Sequence, residues 1–320
     1  MADRREQLGF LGAFAASKLG RNDRLDRIDA AVKWYRFEKL LKRLLPEPEG
    51  AGRPPYDALA MFKALLLAQL YDLSDAGLEE ALNDRVSFRR FLGLVLDMNA
   101  PDHTTLCRFR NRLIEAGLIE KLFAEFNKQL EQNGVILKRG TMVDATLVEA
   151  AAARPGGDGQ SNDPDARFAK KQGKPGSTYG YKAHIAMDQD SELIRAALLT
   201  PANINETSVA DDLIRFDEKA VYADKAYAKA ERRELLKAAG IKDRIMHKSW
   251  GGGPALSHWQ RLHNRLIAPI RSRVETVFAI FKKHMRYRRV RYLGLIKNQA
   301  QLVLLALAYN MRRAAVLART

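Results

Sequence analysis

A chain of 320 residues with 47% apolar residues is long enough for one large core or two ordinary ones, and too apolar for a disordered tail. Its net charge of +16 is uneven: residues 261 to 320 carry fourteen Lys and Arg against one carboxylate, Glu275, leaving only +3 for the first 260. Charge so concentrated reads as a footprint for a polyanion, with nucleic acid the expected partner rather than a membrane.

Cys107 is the only cysteine, which excludes a disulfide framework and a thiolate zinc cluster and suits a reducing cytoplasm. At the start, Asp3 and Glu6 interrupt the charged end that a secretory leader needs, so an amphipathic helix is expected there. The apolar run 302–308 is too short to span a bilayer, and the expected protein is soluble and cytoplasmic, in company with the nucleoid.

From 24 to 133 the spacing predicts helix after helix. "RIDAAVKWYRFEKLLKRLL" reads as one helix ending at Pro46, and "YDALAMFKALLLAQLYDL" as a core helix. Ser74 or Asp75 caps the next, "AGLEEALNDRVSFRRFLGL". Asp102 caps the first of two further helices, Gly117 separates them and Gly134 closes the second. The arginines along this region, Arg85, Arg89 and Arg90, then Arg108, Arg110 and Arg112, suit either a helix-turn-helix-like DNA reader or a packing domain with solvated arginines.

The texture changes at 136. "VILKRGTMVDATLVEA" is β-branched and reads as a strand, followed by a mobile polar loop over 154–178. Two strand-like runs around "DQDSE" form a hairpin, and "INETSVADDLIRF" a helix. A short strand "AVYA", a helix closed by Gly240, a strand "IKDRIMH", a small insertion over 248–262, one long helix through 271 to 285 and an apolar helix over the sheet at 296–316 complete the chain. That order is α/β with an antiparallel start. The expected division is an all-α, DNA-binding and dimerising domain, 1–135, followed by an α/β catalytic domain, 136–320.

Three carboxylates stand apart. Asp144 interrupts an otherwise uncharged strand and Asp224 ends another, positions costly for a carboxylate unless a cation or hydrogen bonds hold it. A structural Asp and a helix cap remain the plain alternatives. Asp188, Asp190, Asp211 and Asp212 fall in a turn or on a solvated helix face. On a helix through 271–283, Arg271, Glu275 and Lys282 share one face, while Val274, Val277, Phe278, Ile280 and Phe281 form the opposite, apolar arc. A Glu presented near two Asp residues suits hard, oxygen-loving divalent ions, magnesium or manganese. Two such ions about 4 Å apart activate water or a 3′-hydroxyl and stabilise the leaving oxygen of a phosphodiester. Arg271 and Lys282 then neutralise and position phosphates.

These blocks resemble the DDE-type transposases of bacterial insertion sequences, most of all the insertion-sequence-five group of the larger insertion-sequence-four-like superfamily, over roughly residues 25 to 315. "APDHTTLCRFRNRL" resembles their N-terminal domain, "MVDATLVEA" and "YADKAY" their two Asp blocks, and "RSRVETVFAIFKK" their third block. The family pattern Tyr-x2-Arg-x3-Glu-x6-Lys falls on Arg271, Glu275 and Lys282, with Ala268 in place of the Tyr, and Ala226 stands where the second block usually has Gly.

The resemblance implies a ribonuclease-H-like catalytic domain with Asp144 on its first strand, Asp224 after its fourth and Glu275 on a late helix. It also implies these three as catalytic and metal-holding residues, terminal inverted repeats and target duplex as DNA partners, and a homodimer or larger synaptic complex. A metal-dependent nuclease, or a DNA-binding relic that has lost its chemistry, are the alternatives.

Further candidates are weaker. "MRYRRVRY" suits phosphate tracking by Arg286, Arg288, Arg289 and Arg291 after Lys283, with its tyrosines stacking. Lys182 and His184 share a hairpin face that either touches DNA or is simply exposed. Trp250 and Trp259 stack on a displaced base or pack. His258 and His263, five apart, suit no shared metal.

Overall fold

The computed structural model describes residues 20–42, 44, 55–156, 161–170, 176–249 and 254–318. The amphipathic segment expected at the start of the chain, and Trp250, lie outside them. The chain forms two compact units, Met1–Leu130 with Leu307–Thr320, and Glu131–Ala306.

In the first unit, helices α1 (Asp23–Ala31) and α2 (Trp34–Leu41) replace the single helix expected there. Val32 takes an extended backbone and buries its side chain, and the Lys33 N–H freed by the break donates to Gln129 Oε1 at 3.0 Å. Helix α3 (Ala58–Leu70) is buried all round from Ala60 to Leu70, as its unbroken apolar run requires, and its one cation, Lys63, reaches Asp29 at 2.7 Å. Ser74 caps α4 (Asp75–Asp84), and the left-handed Gly93 ends α5 (Val86–Leu92). Asp102 accepts from the Thr105 N–H to start α6 (His103–Glu115), and Gly117, at φ +57°, turns the chain into α7 (Leu118–Gln132). The last helix, α12 (Leu295–Leu317), gives its final turns to this unit, where Asn310 Nδ2 donates to Asn127 Oδ1 at 3.1 Å between two fully buried amides.

The second unit is built on a six-stranded mixed sheet. Strand β1 (Thr141–Glu149) pairs antiparallel with β3 (Thr178–Asp188), which pairs antiparallel with β4 (Ile194–Pro201). On its other side β1 runs parallel to β5 (Ala220–Ala223), and β5 parallel to β6 (Lys242–Ile245). The segment expected to be a loop contributes one short strand, β2 (Arg167–Ala169). Gly180 of β3 pairs with both Glu149 and Arg167, so β2 continues the edge occupied by β4. At φ +155°, its missing Cβ would meet the Val148 carbonyl at 2.2 Å; only glycine fits.

Helices α8 (Glu206–Leu213) and α9 (Ala230–Ala238) close one face over Val143, Ala186, Val221 and Ile245. Each of the Val and Ile side chains taken from water contributes about 1.5–3 kcal/mol, which fixes β1 and β5 as a rigid floor. Asp188 lies at the hairpin turn, as expected, but is fully buried there and accepts from the backbone of Lys138, Asp190 and Ser191, folding the turn around itself.

The long helix expected through 271–285 is two, α10 (His258–Arg271) and α11 (Arg273–Lys283). Pro269 lacks the N–H that would continue the ladder, and Ser272 Oγ donates to the Pro269 carbonyl at the joint. No described helix is long and apolar enough to cross a membrane.

Candidate active site

Strands β1 and β5 stay paired through Val143 and Ala223, and the next residue of each is an aspartate. Asp144 and Asp224 thus leave a parallel pair side by side. Asp224 caps the 3₁₀ turn Lys225–Tyr227, its Oδ1 accepting from the Lys225 N–H at 2.6 Å. The cap reading is therefore correct for this turn, while the α-helix that follows starts after Lys229.

Asp144 accepts from the Ala145 N–H at 2.8 Å. Burial raises its carboxyl from 3.8 to about 6, the Ala145 bond and Arg271 pull it down, and Asp224 and Glu206 push it up again.

Arg271 closes the arrangement. At the last position of α10, it donates through Nη1 to Asp144 Oδ2 at 3.1 Å and through Nη2 to Glu275 Oε1, in the first turn of α11, at 3.0 Å. The side chains of Arg271 and Asp144 are 17% and 18% exposed, whereas Glu275 is 63% exposed. Here the guanidinium binds the two carboxylates together. The apolar arc expected on α11 is in place: Val274, Val277, Phe278 and Phe281 are buried. Lys282, in the last turn of α11, donates to Thr146 Oγ1 at 2.6 Å and to the Leu147 carbonyl at 3.0 Å, fastening α11 to β1 two residues beyond Asp144. Thr146 escaped the sequence reading, although its two-residue spacing from Asp144 places it on the same strand face.

Among the described residues, no three His, Cys, Asp or Glu side chains form a group that could hold a metal ion. The donor chemistry nonetheless fits a hard divalent cation: two neighbouring carboxylates, one within β1 where its pairing with β5 ends and one just after β5, and a third tied to a cation that stands between it and Asp144.

Other expected contacts fall in different surroundings. Lys182 donates to the Ile204 carbonyl at 2.8 Å and pairs with Glu206 at 3.2 Å. His184 is fully buried against Thr200 Oγ1 at 2.9 Å, and burial lowers it to about 3, so it is a neutral core residue rather than an exposed one. Arg110 is buried in a two-pronged pair with Asp75 at 2.7 and 2.8 Å, and Arg89 caps the carbonyls of Leu82, Val95, Leu96 and Met98; neither reaches a surface. Arg108 and Arg112 are exposed one turn apart, at the rim of a cavity of about 560 Å³ lined by Tyr56, Met61 and Phe109.

In "MRYRRVRY", Met285, Tyr287 and Val290 are core, so Tyr287 is not available for stacking. Arg286, Arg288 and Arg289 are exposed, as is Lys283, and Arg291 is half-buried. The Arg288 carbonyl accepts from the Glu149 N–H and the Val290 N–H donates back to Glu149, laying this basic run along the end of β1. Trp259 is 75% exposed. His263 packs not with His258 but with His247, ring centroids 4.8 Å apart.

The family model described as Transposase DDE domain matches residues 137–311, more than half of the chain, and a second, described as a transposase domain, matches residues 14–112. The chain belongs to the DDE-domain transposase family. It is accordingly a DNA transposase, and an enzyme. Among solved structures the chain is similar to a cryo-EM structure of the piggyBac transposase synaptic complex with hairpin DNA (TM-score 0.43, 11% identity, covering 98% of this chain and 77% of that one). A fainter likeness, TM-score 0.20 at 12% identity over 89% of this chain and 84% of the other, links it to the crystal structure of the Mos1 strand transfer complex. At these scores neither bears on the site.

Proposed function

We propose that this transposase cuts double-stranded DNA at the terminal inverted repeats of an insertion sequence of the insertion-sequence-five group and joins the freed 3′-hydroxyl to target DNA. In this reading Glu131–Ala306 is a ribonuclease-H-like catalytic unit, the helices before residue 135 bind the repeat and dimerise, and the assembled form is a homodimer or larger synaptic complex in the cytoplasm, on the nucleoid. Asp144, Asp224 and Glu275 hold the divalent cations, two magnesium or manganese ions per site. The observation that carries it is the emergence of two carboxylates side by side from parallel strands β1 and β5, with Asp144 raised to about 6 by burial.

Bound divalent ions supply Lewis acidity, generating a hydroxide-like nucleophile and stabilising the leaving 3′-oxygen. Asp144 and Asp224 position those ions on a floor fixed by the sheet core. Arg271 neutralises Asp144 and Glu275 in the free protein and, on release, its planar fork suits a phosphate. Lys282 holds α11 against β1, so Glu275 is delivered at a set height above Asp144. Lys283, Arg286, Arg288 and Arg289 offer an exposed cationic track to the duplex backbone, and Arg108 and Arg112 a second.

A labelled duplex bearing the element's terminal repeat tests this, with wild type and Glu275→Gln compared in magnesium, manganese and chelator. The expected result is metal-dependent nicking and joining by wild type, with binding alone by the variant. Equal binding and no cleavage by both proteins under every metal would leave Glu275 as an ion pair and the chain as a DNA-binding protein only.

A further inference from the structure

Close to the turn that begins at Asp224 stands a further carboxylate that the sequence pattern does not single out. Glu206 opens α8, the helix after the β3–β4 hairpin, and three contacts confine it. Lys182, opposite Leu147 of β1 in the β1–β3 ladder, holds its Oε1 at 3.2 Å. The next residue, Thr207, donates through Oγ1 to the Ala226 carbonyl at 2.5 Å, docking the first turn of α8 onto the turn that begins at Asp224. Arg232 joins the same two elements, donating to the carbonyls of Thr207 and Tyr227. Glu206 is thus fixed between Lys182 of β3 and the Asp224 turn, with its side chain 28% exposed.

An independent observation points into the same space. Tyr227 is 1% exposed, packed in the core under α8 and α9, and its hydroxyl has no hydrogen-bond partner. A buried hydroxyl without a partner is destabilising, and a ligand or water at the site would satisfy it. The charges that bear on that hydroxyl after burial itself are Asp144, Glu206 and Asp224, all raising its pKa. The same Glu206 also bears on Asp144.

We propose that Glu206 is a fourth carboxylate of the catalytic centre, a ligand for a divalent cation beside Asp144 and Asp224, with Lys182 as its placeholder in the metal-free protein and the Tyr227 hydroxyl facing the same space. Lys182 neutralises Glu206 as Arg271 neutralises Asp144 and Glu275. Each acidic side of the site carries its own basic stand-in, and metal entry displaces both. A carboxylate from α8 puts a ligand on the side of the site away from α11, so cation binding need not await Glu275.

The inference rests on the reading of Asp144 and Asp224 as metal ligands, and the experiment separates the two. Manganese is titrated into chelator-stripped full-length protein without DNA, with free ion followed by electron paramagnetic resonance. Wild type is compared with Glu206→Gln, Lys182→Met and Asp144→Asn. Asp144→Asn and Glu206→Gln are expected to raise the manganese Kd about tenfold or more, and Lys182→Met, which frees Glu206, to lower it.

If Asp144→Asn weakens binding and Glu206→Gln does not, Glu206 is only the partner of Lys182 and the proposal falls alone. If Asp144→Asn also binds as wild type, the metal-ligand reading itself fails. A merely structural ion pair would move both members of the Lys182–Glu206 pair alike. Should Glu206→Gln melt cold by circular dichroism, Lys182→Met decides: tighter manganese binding sustains the proposal, and unchanged or weaker binding overturns it.

Discussion

Replacing Asp144 by Asn should make the metal-free protein more stable at neutral pH while removing its activity. The Asp144 carboxyl rises from 3.8 to about 6 on folding, chiefly through burial, which amounts to about 3 kcal/mol. Below pH 4 the group is protonated in folded and unfolded chains alike and costs nothing. Between 4 and 6 the unfolded chain ionises first, so stability falls as pH rises. Above 6 both are ionised and the full penalty, about 3 kcal/mol, stands. Asn keeps the side chain's shape and never ionises.

Urea unfolding followed by circular dichroism, in chelator from pH 4 to 8, should therefore give superimposed curves near pH 4. The variant should be more stable by up to about 3 kcal/mol at pH 7.5. A pH-independent offset, or a variant less stable at pH 7.5, would refute burial as the cause. Millimolar manganese should close the gap by stabilising wild type alone.

Breaking the Arg110–Asp75 pair with Arg110→Ala strands a half-buried carboxylate and should cost about 3–5 kcal/mol in urea unfolding. An unchanged midpoint with weakened DNA binding would restore Arg110 as a DNA contact. Gly180→Ala drives a methyl into the Val148 carbonyl and should lower stability by about 2 kcal/mol or more, seen as a fall in Tm or as loss of soluble protein. His184, held near 3 by burial, stays neutral in the fold, so stability is full above about 6.5 and falls as pH drops from there towards 3. His184→Asn should flatten that acid limb, and an unchanged limb would place the proton elsewhere. Lys282→Met keeps the stem and loses two hydrogen bonds to β1, so it should cost about 1–2 kcal/mol in urea and slow cleavage more than it weakens DNA binding.

Much of this was legible where local chemistry decides. The Ser74 and Asp102 caps, the Gly117 break, the hairpin around "DQDSE" and the apolar arc of α11 follow from spacing and turn residues alone. The failures have one physical source, partners distant in sequence. The extended Val32 divides α1 from α2 because Gln129, nearly a hundred residues on, satisfies the Lys33 N–H. Arg110, Arg89, Lys182 and His184 look alike as charged or polar letters, but Asp75, the carbonyls around Val95, Glu206 and Thr200 take them out of solvent. At the site, the adjacency of Asp144 and Asp224 was foreseeable from strands of the right texture. Arg271's grip on both Asp144 and Glu275 was not, since the helix joint at Ser272 sets where its side chain reaches.

The last turns of α12 belong to the first compact unit, which gives that unit a history as well as a shape. The ribosome releases Leu130 long before Leu307, and at about 5–20 residues per second the interval is on the order of ten to forty seconds. Through that time Asn127 has no Asn310 to bond, and the apolar faces that meet Leu307, Ala308 and Met311 stay uncovered. The helical unit is thus begun first and finished last, and the strands of the sheet are all synthesised before the unit that opens the chain can close. A fragment ending at Leu130 should need residues 307–317 supplied as a separate peptide to fold.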